Sequence, residues 1–535
     1  MGVVAYAFGL GILPPGHTGW MLRGTIGPDP VQYWLGWTYF RTDAWRWPPG
    51  LNPHYGLEIG SSIFFSDSIP LLAFAFKALR GLFEVQQYWG LWLYACGALQ
   101  GFFGWILAGL VTRDRLARLG AAALFVLSPA MLNRLGGHFA VGAHFLLLAG
   151  LLLCLAPVPR RRRLAAWAVL VLAASWIHAY LLPMVLGLWA ADWLGRALRG
   201  PGWSAAGEAV GMPAAGILGL WLAGFFTIGG GFAGTWGEYG RMQLDLLAPF
   251  APAPWGRFLP DLPLPDHLEV GHSYAGLGVL LALLIGLVLW LRAGAHGLGR
   301  HWPLLLMLGA MLAFAVSHRV SVGGRAFLLF EPPGRLVALA SALRASERFL
   351  WPAAYAALFG AIAAIVHGLG GRRAGLLLVL LALVQFADLQ PGFARLWHYF
   401  PPEQAVVPLR LQDPFWREAA GRYERVRLAP TGLQARHWEE VAVFAASCGL
   451  PTDAVYLARV DPGRTAALNA KVAAELRAGS PESGTLYVLG TAGTLAAARA
   501  GLRPGDRLAE ADGLWVLAPG WATLPPARAT PPSCV

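Results

Sequence analysis

Long apolar runs separated by short basic turns organise most of this chain. Tyr88 to Val111 is uncharged and long enough for a helix through a bilayer, which takes roughly 20 residues. Met1 to Leu13 is apolar but lacks a basic start and a cleavage site, and reads as the start of a first membrane helix. The later runs come in pairs. Leu119 to Leu132 precedes Phe139 to Leu155, and Leu164 to Ile177 precedes Leu181 to Leu194. Ala209 to Ile228 precedes Ala275 to Leu291, and Leu304 to Val316 precedes Leu350 to Val366, each time around a long loop. Ala374 to Ala387 is a final single run.

From Leu389 onward charges rise and apolar runs shrink to strand length. Val426 to Leu428, Val455 to Val460, Leu486 to Leu489 and Leu514 to Leu517 read as strands. His437 to Ser447, Thr465 to Arg477 and Thr494 to Ala500 read as helices between them. The alternation predicts a small soluble α/β domain with a largely parallel sheet. Asp512-Gly513 predicts a hairpin turn feeding an antiparallel edge. Gly490 to Thr494 is a glycine-bearing strand-to-helix turn; an anion cradle is the sharper reading and a plain turn the simpler one.

Composition agrees with a membrane chain. Of 535 residues 56% are hydrophobic and 13% charged, and the mean hydropathy is +0.52. The net charge of +12 would suit a nucleic-acid binder, but the arginines sit in turns between apolar runs, as the positive-inside rule predicts. Nucleic acid is therefore not an expected partner. The basic turns are Arg113/Arg115/Arg118, Arg160 to Arg163, Arg196/Arg199, Arg292/Arg300 and Arg372/Arg373. If all face the cytoplasm, an even number of spans separates neighbours, giving about eleven transmembrane helices. The N-terminus is then cytoplasmic and the C-terminal domain lies on the outer side of the membrane. Residues 1–388 form the membrane domain, with large outer loops 16–87, 229–273 and 319–348, and residues 389–535 form the soluble domain. Cys96 and Cys154 lie in apolar runs; Cys448 and Cys534 lie in the tail, where a disulfide is left open.

The first outer loop holds the densest chemistry. Its acids are Asp29, Asp43, Glu58 and Asp67. Asp29 lies between two prolines in Gly27-Pro28-Asp29-Pro30-Val31-Gln32-Tyr33, at or near the cap of an amphipathic helix on which Gln32, Tyr33, Gly36 and Trp37 follow at helical spacing. Asp67, in Ser66-Asp67-Ser68-Ile69-Pro70, precedes a second amphipathic helix. Capping is the plain role of each; a carboxylate acting as general base at the membrane surface is the functional one. Asn52 and His54 are polar groups near them in sequence.

These residues carry a resemblance. Asp29 after the first helix, an apolar outer loop, alternating spans and a soluble C-terminal domain resemble the GT-C class of membrane glycosyltransferases. More closely, the chain resembles an uncharacterised bacterial multi-pass membrane family. The matching stretches are Gly27 to Trp37, Trp47 to Leu72 (WPPGLNPHYGLEIGSSIFFSDSIPLL), Tyr274 to Leu280, Leu343 to Pro352 (LRASERFLWP), Phe444 to Asp461 and Leu486 to Leu489. The resemblance implies an inverting glycosyltransferase that uses a sugar on a polyprenyl phosphate. The acceptor would be a glycan, lipid or protein on the outer face. Asp29 matches the first-loop acid that serves as base. Asp67 stands where related enzymes have a second acid, but Ser68-Ile69-Pro70-Leu71 departs from their form. A divalent cation (Mg or Mn) is one option for the pair, and two acids without a clear third ligand do not define a site.

A lipid-phosphate leaving group needs cationic stabilisation. Arg344 and Arg348, four apart and hence on one helical face, enter a span from the outer side, and Arg134 and His138 lie at another outer turn. Snorkelling to lipid headgroups is the plain role for such arginines. His178 and Tyr180 lie at a turn between short spans, either facing the cavity or bracing the turn. The loop 229–273 contributes Trp236, Glu238, Tyr239, Asp245, Trp255, His267 and Glu269, with aromatic rings suited to stacking on sugars. Glu58, Gln32, Tyr33, Asn52 and His54 complete the candidate cavity. A lipid or polysaccharide transporter or flippase is the first rival reading, but paired charges inside spans and related halves are not evident. A non-catalytic envelope assembly protein is the second.

Overall fold

The computed structural model describes every residue except 201, 229–237, 263, 265–272, 296, 402–409, 434, 526–528, 530–533 and 535. Trp236, His267 and Glu269 therefore lie outside the described residues. The chain is mostly helical, at 58%, and divides into two compact units. The first takes Met1–Pro14, Trp89–Gly219 and Phe232–Pro402, and the second takes Pro15–Tyr88, Leu220–Gly231 and Glu403–Val535. The loop that carries Asp29 and Asp67 is thus part of the same folded body as the C-terminal domain.

The first unit is a helix bundle. Among the described residues four helices are long and apolar enough to cross a membrane: Trp89–Ala108, Trp203–Leu222, Gly299–Val316 and Ser346–Leu369. Two bent pairs, Arg115–Val126 with Pro129–Leu135 and Gly371–Asp388 with Gln390–Tyr399, raise the number to six if each is one span. Both bends are 52°, and each falls where a proline early in the second helix cannot continue the first. The other paired apolar runs are also helical; Arg160–Ile177 has 18 residues but opens on four arginines, and the rest are shorter. Phe145–Leu155 has 11 residues, about 16 Å of helix against a hydrocarbon core of about 30 Å. Gly2–Phe8 has only seven residues and ends at Gly9. It is held by Tyr6, whose hydroxyl donates to Gln390 Oε1 at 2.8 Å.

The basic turns meet at one end of this bundle. Arg163 and Arg196 both pair with Asp192, and Arg196 also pairs with Glu208. Gly195 packs on Pro303, Gly368 on Leu289, and Gly371 on Asp114. Those contacts link the turns at 196–199, 300, 292, 372–373 and 113–118. Near the other end Asp388, fully buried, ties the end of the helix Gly371–Asp388 to residues 257–258 and 274–277. It accepts from Arg257 N (3.0 Å), Phe258 N (3.2 Å), Tyr274 Oη (2.6 Å) and Leu277 N (2.9 Å). A hairpin of β1 (Arg319–Val322) and β2 (Arg325–Leu328) follows the helix Trp302–Val316.

The second unit is built on a sheet of β3 (Arg425–Ala429), β4 (Thr485–Leu489), β5 (Arg507–Ala511) and β6 (Leu514–Ala518), in the order β3-β4-β6-β5. Only β3 and β4 are parallel; β4–β6 and β5–β6 are antiparallel. The sheet is therefore mixed, not largely parallel, because the Asp512-Gly513 turn, with φ of 49° and 76°, returns the chain directly beside its own strand. Residues 455–460 form no strand. The helices Trp438–Ser447, Pro462–Ala478 and Ala492–Ala500 stand where the sequence pattern puts them. The last is closed by a Thr491–Thr494 capping box, which makes Gly490 to Thr494 a plain strand-to-helix turn. Cys448 and Cys534 form a disulfide. Beyond β3 the sheet pattern continues through single parallel bridges from Val426 to Thr452 and from Thr452 to Tyr55, so the first loop extends the C-terminal sheet.

Candidate functional site

Asp29 opens the helix Asp29–Thr42, after an N-cap at Pro28 that makes no side-chain capping bond. Its carboxylate sits in the first turn, where the helix dipole favours negative charge. The helix is not amphipathic. Every residue from Pro30 to Phe40 is buried, because Val31, Tyr33, Trp34, Leu35, Trp37, Tyr39 and Phe40 spread over all its faces. Gln32, Tyr33 and Gly36 follow Asp29 at three, four and seven residues, hence on one stripe.

That stripe meets the segment holding Asp67. Gln32 Nε2 donates to Phe65 O at 3.0 Å. Ser68 Oγ donates to Tyr33 O at 2.9 Å and lies 2.9 Å from Ser66 Oγ. The Tyr88 hydroxyl donates to Ser68 O, and Asn52 Nδ2 donates to Gly36 O at 2.9 Å. Gly36 is obligatory: a Cβ there would lie 2.1 Å from Ser66 Oγ and 2.2 Å from Ser66 Cβ. The turn is also strained. Asp67 and Ile69 have φ of 55° and 52°, which costs side chains of this kind on the order of 1–3 kcal/mol each. Side-chain bonds of Gln32, Ser66, Ser68 and Tyr88 hold it, and Asn52 fixes the facing Gly36 carbonyl. Asp67 stands two residues before Ile69, the N-cap of the following helix, Pro70–Ala78. Asp29 and Asp67 are both half-buried.

The other loop candidates brace the body of this unit. His54 Nδ1 lies 3.6 Å from Asp43 Oδ1, and its carbonyl accepts from Thr452 N at 3.0 Å. Glu58 accepts from Arg427 Nη2 at 2.8 and 3.0 Å. Arg427 Nη1 also lies 3.2 Å from Asp453 Oδ2, with Arg427 and Asp453 both buried. Burial alone would raise the Glu58 carboxyl, but the Arg427 guanidinium outweighs it and holds Glu58 below the usual range. For Asp453, burial outweighs Arg427 and the Leu428 amide and pushes the carboxyl up to about 7.

In the first unit, Arg134 is fully buried and lies 3.5 Å from Glu347 Oε1, with its guanidinium 5.8 Å from the Trp351 ring centre. Arg348 lies 4.5 Å over the Tyr180 ring, and the Tyr180 hydroxyl accepts from Ala345 N at 3.0 Å. Arg348, His138 and Arg134 lie close enough to His178 to act on it electrostatically. His178 Nδ1 accepts from Tyr180 N at 3.1 Å, so the pair braces its turn. Arg134 and Arg348 are 0% and 6% exposed; they do not snorkel. Arg344 and Arg348 do not share one helical face, because the backbone breaks at Ala345 between two short 3₁₀ turns. Arg344 is half-buried. Tyr239 donates to Phe314 O at 3.0 Å and stacks on Phe314, while Glu238 is exposed. Trp255 is core, donating to Asn133 Oδ1 at 3.1 Å and packed on Gly392.

Two features went unread in the sequence. Glu347 gives the buried Arg134 a counter-charge. His144, fully buried, lies 2.7 Å from the Tyr355 hydroxyl, which donates to Ser128 Oγ at 3.1 Å. A lone histidine in an apolar run carries no sign of such partners. Among the described residues no three His, Cys, Asp or Glu side chains come together as a metal site.

No curated protein and no solved structure matches the chain. Two family models do. Residues 415–519 match the DUF6311 C-terminal domain, and residues 1–390 match the domain of unknown function DUF6311. The chain, a helix bundle with a small sheet domain, belongs to the DUF6311 family.

Proposed function

We propose that this protein is an integral membrane glycosyltransferase of the GT-C type, moving a sugar from a polyprenyl-phosphate donor to an acceptor hydroxyl. It works at the outer face of a bacterial inner membrane, with about eleven membrane segments and a periplasmic C-terminal domain. The observation that carries the reading is the Asp29 helix and its junction with the strained Asp67 turn. Strain of this kind persists where surrounding bonds over-determine it, and it concentrates at functional sites. The disulfide suits an oxidising compartment, and the gathering of the basic turns at one end suits a cytoplasmic face.

Asp29, as its carboxylate, takes the proton of the acceptor hydroxyl as the oxygen attacks the anomeric carbon. The carbon–oxygen bond to the donor phosphate breaks on the opposite side, inverting the centre, and polyprenyl phosphate leaves as an anion. Asp67 positions that chemistry from its turn. The leaving phosphate needs cationic stabilisation.

The test is Asp29→Asn in the full-length protein in membranes, supplied with radiolabelled polyprenyl-phosphate sugars. Transfer falls by about 10²–10⁴-fold, while thermal stability and expression are unchanged. Normal turnover by the folded variant refutes the assignment.

A further inference from the structure

In the first unit, residues 319–340 present apolar side chains to the outside. Phe327, Leu328, Leu329 and Phe330 are 55–65% exposed, as are Leu336 and Leu339. The helix Gly334–Ala340 has no buried residue. This surface is nevertheless built firmly. Asp245 ties down the β1–β2 turn, accepting from Ser321 Oγ at 2.7 Å, Gly323 N at 3.0 Å and Gly324 N at 2.8 Å. Leu329 N donates to His318 O at 3.0 Å. Ser341 closes the helix, donating to Val337 O at 2.7 Å and accepting from Tyr239 N at 3.0 Å. A rigid apolar surface of this kind marks an interaction site rather than a loose loop.

We propose that the hairpin and the 334–340 helix form a lip inserted at the headgroup–acyl boundary of the bilayer. Continuity with the spans selects lipid over a protein partner. The segment begins directly after the candidate span Gly299–Val316 and ends directly before Ser346–Leu369. Only 28% of the apolar window of Gly299–Val316 is buried within the protein, so most of that span faces outward and leads in sequence into the lip. Charge agrees: Arg319, Arg325 and Arg335 are exposed on the lip against one exposed acid, Glu331, which suits anionic headgroups at the edge of an interfacial element. The proposal rests on the membrane reading and not on the transferase reading, so either can fail alone.

The test uses full-length protein with Cys96→Ala and Cys154→Ala and the Cys448–Cys534 disulfide intact. It is reconstituted in phosphatidylethanolamine–phosphatidylglycerol vesicles. A spin label is placed at Phe330→Cys, at Leu339→Cys, or at Leu502→Cys, an exposed control in the other unit. Labels at 330 and 339 should collide several-fold more with oxygen than with a water-soluble nickel chelate, and the label at 502 should show the reverse. Water-like collisions at 330 and 339 overturn the proposal. So does shielding from both reagents, which would mark a protein partner or a second copy.

Discussion

Gly36→Ala is the sharpest probe of the junction that carries the two acids. The added methyl carbon would sit 2.1 Å from Ser66 Oγ, 2.2 Å from Ser66 Cβ and 2.7 Å from Ser68 Oγ. Ordinary carbon–carbon contact needs about 3.5 Å or more, so the segment must retreat by about 1 Å. That retreat strains or breaks the Ser66–Ser68 and Ser68–Tyr33 bonds, both 2.9 Å, each worth about 1 kcal/mol net. Overpacking adds about 1–3 kcal/mol, for a total near 3 kcal/mol. The melting temperature should fall by about 5–10 °C, read in detergent by tryptophan fluorescence. On the proposed function, a displacement of about 1 Å at Asp67 costs transfer about 10²-fold. Ser66→Gly removes the two nearest clashing atoms, so the Gly36→Ala/Ser66→Gly pair should recover stability beyond the sum of its single changes. A Gly36→Ala protein as stable and as active as the parent would refute the reasoning.

Two further tests concern the sheet unit. Arg427→Met removes the partner of the buried Asp453 and should cost up to about 3–5 kcal/mol at pH 8, where the carboxyl is ionised in the parent, and less at pH 5; Asp453→Asn in the same chain should recover most of the loss at pH 8. Because burial raises the folded Asp453 carboxyl to about 7, its contribution is fully present below the unfolded value near 4 and fades as pH rises to about 7. Denaturant titrations of the unit from pH 4 to 8 should show that slope, and Asp453→Asn should flatten it. Cys448→Ser with Cys534→Ser opens a closure 86 residues apart in sequence and should lower stability by about 4 kcal/mol in the same assay; an unchanged denaturation midpoint would contradict this.

The apolar runs, the basic turns and the change of pattern near Leu389 were legible because each follows from local chemistry. Twenty or so apolar residues must be helical in lipid, arginines mark one side, and Asp512-Gly513 must turn. Helix lengths were less legible. Runs such as Phe139 to Leu155 hold only 11 helical residues, because Gly136, Gly137 and Gly142 delay the helix without breaking the apolar pattern. The helix after Asp29 read as amphipathic, since the sequence does not show how many neighbours will cover it.

The sequence by itself determined the helical bundle, the small sheet domain and the acids worth asking about, since periodicity, turn residues and charge are properties of neighbouring positions. Only the tertiary structure decided that residues 15–88 belong with residues 403–535 in one body. It also decided that Arg427, far along the chain, binds Glu58, and that Arg134 is buried against Glu347. Those pairings join residues more than two hundred positions apart. Their strength comes from shared burial, and burial exists only once the chain has folded.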